Sequence, residues 1–288
     1  MAGGVPCSLH LERVPAAVYR EYAPSPILKR YLVCAWTLEI RAGHGQHRQR
    51  ILPDGCSDIV WMGEAAPIVI GPMTKSTLST SPAGTTIVGL RFRPEVAARV
   101  FGVPAQELAD QTVALDRLWR RADVDEASER LLERRTAAGR VSVAISFLAS
   151  RGHATLPPEP LIQQAMSLLS ETPHERVDAL VDILGVSARH LRRRFLTAVG
   201  YNPKLFQRIL RFQRLLALAK THHSRRLGDL ALLAGYADQA HMTRDVGEFA
   251  GVPPSALLGK VVSALTLSDL LSDGIEPPSG AGAQHRSG

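Results

Sequence analysis

VDALVDILGVSARHLRRRF, residues 177–195, and LGDLALLAGYADQAHMTRDV, residues 227–246, are two copies of one pattern. In the first, Val177, Leu180, Val181 and Leu184 stand at i, i+3, i+4 and i+7, a single apolar helix stripe closed by Gly185. In the second, Leu227, Leu230, Ala231 and Ala234 repeat that stripe at an offset of 50, and Gly235 closes it. One extra residue in the second turn makes the offset 51. It then holds from Ser187 and Asp238 through Leu191 and Met242, Arg193 and Arg244, and Gly200 and Gly251, to Pro203 and Pro254. An offset that changes once and then stays constant marks a duplicated unit of helix, tight turn and helix.

Ser187 and Asp238 are placed to cap the second helix of each unit by accepting its free N–H groups. Leu191 with Phe195, and Met242 with Val246, give that helix its buried side. The opposite side then carries Arg189, Arg192 and Arg193 in the first unit, and Gln239, His241 and Arg244 in the second. Arg can fork onto guanine O6 and N7, and Gln can pair with adenine N6 and N7. With Ser187, His190 and Ala240 beside them, these residues form the candidate DNA-binding set. Consecutive arginines also occur on ordinary solvated faces, and His190 or His241 also reads as a partly buried histidine. Their place on the second helix of a duplicated unit is what favours DNA. Between the units, Asn202 and Pro203 read as the cap and first position of a helix, KLFQRILRFQRLLALAK, over 204–220. Such a strut would set the two recognition helices about one duplex turn apart, roughly 34 Å, so that one chain reads a bipartite site on double-stranded DNA.

The charge distribution agrees. The chain of 288 residues has a formal net charge of +7, and residues 174–226 alone hold 12 basic and 3 acidic side chains. Basicity by itself is weak, because many basic runs are solvated helix faces. A hydrophobic content of 45% excludes disorder throughout. Apolar runs of membrane-spanning length, about 18 residues, are absent, and MAGGVPCSLHLERVP has no apolar run suited to a signal peptide. The expected location is bacterial cytoplasm, associated with the nucleoid and not with a membrane. Cys7, Cys34 and Cys56 are too few and too scattered for a disulfide framework or a four-ligand zinc site, and read as reduced thiols.

The first 150 residues read differently. AWTLEI (35–40), DIVWM (58–62), PIVIG (67–71) and TTIVGLRFR (85–93) are strand-like, with turn signals at Pro53-Asp54-Gly55 and Ser81-Pro82-Ala83-Gly84. Helical periodicity takes over near 94–101, 123–136 and 140–150. Prolines 157, 158 and 160, with Gly152, break the pattern. The expected organisation is therefore a regulatory, effector-binding or dimerisation domain over 1–150, a linker over 151–160, a helical domain over 161–260, and a disordered tail over 272–288. The fold class is α+β, a β-rich domain followed by an all-α one.

Candidate chemistry in the first domain carries little weight. Asp54 and Asp58 flank a turn and read as turn and cap acceptors. Cys34 and Cys56 read as small buried thiols. His44 and His47 lie in GHGQHRQR, which reads as a polar loop rather than a metal site. Arg91 and Arg93 alternate with Leu90 and Phe92, so both should share one strand face, solvated or turned to an anionic ligand. No catalytic constellation, metal site or cofactor is expected.

Residues 161–258 resemble the DNA-binding domain of the AraC/XylS family of bacterial transcription regulators. The resemblance rests on both helix-turn-helix units, the connecting helix with Arg211, and the runs GYADQAHMTR (235–244) and GVPPS (251–255). It implies sequence-specific binding through two recognition helices, with Arg189, Arg192 and Arg193 contacting DNA in the first unit and Gln239, Ala240, His241 and Arg244 in the second. It also implies recruitment of RNA polymerase, activation, and an amino-terminal domain, often a cupin-like barrel, that binds a small effector or forms a homodimer. RILPDGCSDIVW (50–61) and GLRFRP (89–94) resemble front-domain segments of one such subgroup. Where the family has an aromatic and then a basic residue, this chain has Val246, Gly247 and Glu248, which implies a looser end to the second recognition helix. The competing readings are a DNA-binding fusion with an enzymatic front domain, which the lack of a cysteine cluster or activated nucleophile disfavours, and a helical interaction protein without DNA binding.

Overall fold

The computed structural model describes residues 17–43, 46–151, 157–171, 177–222 and 226–259. Cys7, His44, part of the break at 151–160 and the tail over 272–288 lie outside the described residues. The first half contains β1 (Ala17–Tyr22), β2 (Leu32–Ile40), β3 (His47–Ile51), β4 (Ser57–Met62), β5 (Ile68–Ile70), β6 (Thr77–Ser81), β7 (Thr86–Phe92) and β8 (Thr112–Ala114). Six of them form an antiparallel sheet in the order β1-β2-β7-β4-β5-β8, and β3 pairs with β6 as a separate antiparallel ribbon.

The sheet has two buried faces because its strands alternate two sets of apolar side chains. Ile59, Trp61, Val88, Leu90 and Phe92 pack with residues of four helices: α1 (Ala97–Phe101), α2 (Ala105–Leu108), α3 (Arg121–Leu132) and α4 (Ala137–Ser150). Trp36, Leu38, Val60 and Ile87 form the second cluster on the opposite face. The four strand-like runs of the sequence became β2, β4, β5 and β7. GHGQHRQR is corrected from His47 onward: His47–Ile51 is a strand, and His47 is 3% exposed. Its polar side chains disguised it, because this ribbon turns polar groups inward. The long helix expected over 123–136 stops at Leu132, and α4 starts afresh at Ala137, where the Thr136 side chain accepts the Gly139 N–H.

The second half contains α5 (Pro160–Glu171), α6 (Val177–Leu184), α7 (Ala188–Val199), α8 (Pro203–Thr221), α9 (Leu227–Ala234) and α10 (Gln239–Ala250), and residues 254–259 are helical again. The helix bounds repeat the sequence offsets, 50 for α6 against α9 and 51 for α7 against α10. The buried side chains of α8 run its whole length, from Phe206 to Ala219, and join one core with Leu191, Phe195, Met242, Val246 and Phe249. One residue of the first half, Leu52, enters that core, and α7 packs on α1 and α2.

Candidate nucleic-acid interface

Both second helices start and stop in the same way. Ser187 Oγ accepts the His190 backbone N–H at 3.2 Å, and Asp238 Oδ1 accepts that of His241 at 2.6 Å. Each bond satisfies a first-turn donor that has no intrahelical partner. The caps place the candidate residues at the first turn and along the outer side. Ser187, Arg189, Arg192, Arg193, Gln239, Ala240 and Arg244 are exposed, while His190 and His241 are half-buried. The His241 ring meets Tyr236 edge-on at 5.3 Å, which fixes its direction. Leu191, Phe195, Met242 and Val246 are buried beneath them.

Ion pairing separates these arginines from their neighbours. Among the described residues, Arg189, Arg192, Arg193 and Arg244 stand in no ion pair. Arg194, the last of the three consecutive arginines, is gripped by Glu159 through Nε at 2.8 Å and Nη2 at 2.5 Å, which anchors α7 to the start of α5. Arg208 on α8 is bound by Asp245 at 2.8 Å and by Glu248, and its guanidinium lies 5.0 Å from the Phe249 ring centre. The Glu248 contact raises the Arg208 pKa, and the same hydrogen bond holds the Glu248 carboxyl below its usual range. The end of the second recognition helix is therefore not loose. Its unusual Glu248 belongs to an ion-pair network that ties α10 to the strut, and the sequence pattern gave no sign of it because Arg208 is 40 residues away.

The carboxyl ends of both recognition helices rest on the first half. Ser76 donates its N–H to the Phe249 carbonyl at 2.7 Å and its hydroxyl to the Ala250 carbonyl at 3.0 Å, and Arg50 Nη1 donates to the same Ala250 oxygen at 3.0 Å. These donors satisfy carbonyls that the helix leaves open, and the guanidinium sits at the negative end of the helix dipole. At the equivalent end of α7, a Cβ on Gly200 would stand 2.7 Å from Pro72 Cγ and 3.0 Å from the Ala105 carbonyl oxygen, a contact only glycine permits. Gly200 also needs its left-handed φ of 97°. On the strut, Gln213 donates to the Pro53 carbonyl at 2.6 Å.

The same segments line a cavity of about 550 Å³ between the ribbon and the sheet. Its floor is the Trp36 indole, lying across β7 at Gly89, where a Cβ would be 2.0 Å from the ring. The indole N–H donates to Asp58 Oδ1 at 3.2 Å, and Asp58 accepts Arg91 Nε at 3.1 Å and Nη2 at 3.2 Å. Arg91 Nη1 also faces Asp54 Oδ2 at 3.5 Å. Burial raises the Asp58 pKa, while Arg91 pulls it down. The expectation of a solvated face is corrected, since Arg91 is 1% exposed. The strand ends at Phe92, so Arg93 does not share that face and instead pairs with Glu95 at 2.8 Å. Asp54 is the turn acceptor expected, taking the Cys56 N–H at 2.9 Å, but Asp58 is a counter-ion on a strand. Cys34 and Cys56 are buried and not in disulfides. Among the described residues, no group of three or more His, Cys, Asp or Glu is placed to hold a metal, and no helix is long and apolar enough to cross a membrane.

Two family models match the chain: one described as a domain of unknown function (DUF6597) over residues 20–114, and a helix-turn-helix domain over residues 180–260. No curated protein matches. Among solved structures, ToxT from Vibrio cholerae is similar at 10% identity with a TM-score of 0.44, over 75% of this chain and 96% of that one. ToxT from the same organism bound to an unsaturated fatty acid is similar at 10% identity with a TM-score of 0.40, over 76% of this chain and 95% of that one. Likenesses this distant do not bear on how the chain works. The helix-turn-helix match, with the doubled helix pattern, makes residues 180–260 an AraC-type DNA-binding domain, and the chain is a DNA-binding transcription regulator with a β-rich domain in front.

Proposed function

We propose that the chain reads a bipartite promoter site with α7 and α10, and that a small molecule held by the first 150 residues controls this binding. Residues 161–260 act as the DNA-binding domain. Arg189, Arg192 and Arg193 with Ser187 and His190 contact one major-groove segment, and Gln239, Ala240, His241 and Arg244 contact the next. The observation that carries the reading is the pairing pattern. Carboxylates occupy Arg194, Arg208 and Arg211 of this domain, whereas the arginines at matched outer positions of the duplicated unit stand in water without a described counter-ion. Exposed cations of this kind exchange counterions for phosphates.

Ligand control is supported by the segments 50–58 and 71–79, which border the cavity and also hold the ends of α7 and α10. The regulator acts in the cytoplasm, at the nucleoid, without enzymatic activity. RNA polymerase is the partner it brings to the promoter, and a homodimer is the assembly proposed for it. The test is selection of bound sequences from a random duplex pool, then affinity against salt for the wild type and for Arg193→Ala with Arg244→Ala. An enriched motif with two half-sites one turn apart, lost in the double variant, is expected. Binding that both substitutions leave unchanged refutes the two-helix mechanism.

A further inference from the structure

We infer that Asp110 is a positioning residue for DNA recognition. Its carboxylate fixes the bend of the segment 71–76, which ties the end of α7 to the end of α10, and so sets the half-site separation that the chain reads. This rests on the two-helix reading above and assigns its geometry to one side chain. The segment 71–76 leaves the sheet at β5 and enters the ribbon at β6. On the way it meets both recognition helices. Pro72 abuts Gly200 at the end of α7, and Ser76 donates to the Phe249 and Ala250 carbonyls at the end of α10. Thr74 lies midway between these contacts. It donates its N–H to Asp110 Oδ1 at 2.7 Å and its hydroxyl to Asp110 Oδ2 at 2.6 Å. The backbone completes the clasp: the Asp110 N–H donates to the Pro72 carbonyl at 3.1 Å, and the Gly71 N–H to the Gln111 carbonyl at 3.0 Å.

Asp110 stands between α2 and β8, and α2 is itself a support of α7, because its Ala105 carbonyl faces Gly200. The clasp therefore joins the supports of α7 to the support of α10. Among the described non-glycine residues, Asp110 alone has a positive φ, 57°. Aspartate enters the left-handed region more readily than most residues, but at a cost, and such a conformation persists where its surroundings hold it. Asp110 is exposed, so burial does not hold it there and the clasp does. The α8 strut joins the two units through their shared core, and the clasped segment is a second tie at their outer ends. With both ties in place the recognition helices move as one body. One base pair added between half-sites displaces the second by about 3.4 Å and turns it by about 35°, which a rigid pair does not follow. With the clasp open, the segment has slack and the pair adapts.

The test uses the full-length protein and the duplex selected above, at its preferred half-site separation and with one base pair added or removed, beside a duplex with one half-site. Affinities are read by fluorescence anisotropy. The wild type is expected to lose about tenfold when the separation changes by one base pair, the effect of one well-made base contact. Asp110→Gly keeps the left-handed backbone and removes only the carboxylate. It is expected to lose most of that discrimination while binding the one-half-site duplex as the wild type does. Asp110→Asn can still accept the Thr74 N–H and donate to its hydroxyl, and is expected to keep the discrimination. Thr74→Val removes the hydroxyl donor from the other side of the clasp and is expected to act like Asp110→Gly, by less. Thermal melts verify that each variant is folded. An Asp110→Gly variant that discriminates as the wild type does, or that weakens the one-half-site duplex equally, overturns the assignment and leaves the two-helix reading standing. A wild type indifferent to the separation overturns both.

Discussion

Gly89→Ala tests the cavity floor most directly. No positive φ is involved at this strand residue, so the backbone accommodates alanine, and in a strand the exchange alone is worth about 0.5–1 kcal/mol in favour of alanine. The steric term opposes it. A Cβ would lie 2.0, 2.3 and 2.4 Å from Cε2, Cζ2 and Nε1 of Trp36, so the indole has to leave its place. Such overpacking costs about 1–3 kcal/mol, and losing the indole N–H bond to the charged Asp58 acceptor adds about 1.5–3 kcal/mol. The net expectation is a destabilisation of about 1.5–5.5 kcal/mol, read by urea unfolding followed through tryptophan emission with the slope checked for constancy. A double-mutant cycle assigns the cause. In a Trp36→Leu background the indole no longer stands over residue 89, so Gly89→Ala is expected to lose its cost and to stabilise by about 0.5–1 kcal/mol. The same cost in both backgrounds would refute the placement of the indole over Gly89.

Ser187→Ala and Asp238→Ala each remove one cap bond and are expected to cost about 1 kcal/mol of stability, measured by chemical denaturation, with equal losses because the two caps are equivalent. Arg50→Ala deprives the Ala250 carbonyl of a charged donor; it is expected to cost about 1–2 kcal/mol and to speed amide exchange in the last turn of α10 ahead of α7. Glu248 has its pKa lowered chiefly by the Arg208 hydrogen bond, so its stabilisation is present above the ordinary glutamate pKa and is lost as pH falls through the lower folded value. The difference in melting temperature between wild type and Glu248→Gln is therefore expected to shrink in acid below about pH 4, and to shrink with salt because the side chain is half-exposed.

The helical half was legible because its signal is internal. Two stripes, two closing glycines and two caps at constant offsets leave few ways to fold, and local caps translate directly into helix bounds. The strands that matter for the cavity were not. β3 is HRQRI and β6 is TLSTS, polar runs without alternation of apolar residues, and each exists because it faces the other across a ribbon. The inward turn of Arg91 was likewise invisible, since its reason is Asp58 on the adjacent strand, opposite it in register. Arg194 and Arg193 are neighbours with the same chemistry, and only the position of Glu159 assigns one to the scaffold and leaves the other exposed.

The duplicated units are alike in sequence, but the first half holds them by different means. α10 ends on hydrogen bonds from Arg50 and Ser76, and α7 ends on van der Waals contact with Pro72 and Ala105. Ser76 borders the cavity, as do Gly71 and Met73 on either side of Pro72. Under the proposed control, a ligand that shifts this segment acts on the separation of α7 and α10 and leaves each helix's own base contacts intact. The differential free energy available is that of a few such contacts, about 1–3 kcal/mol, which corresponds to about 5- to 150-fold in DNA affinity. Complete switching from 1:99 to 99:1 needs about 5.5 kcal/mol, so the response is graded rather than all-or-none. It is also confined to duplexes that engage both helices at once. A duplex carrying one half-site does not sense the separation, and its affinity is expected to be the same with and without the ligand.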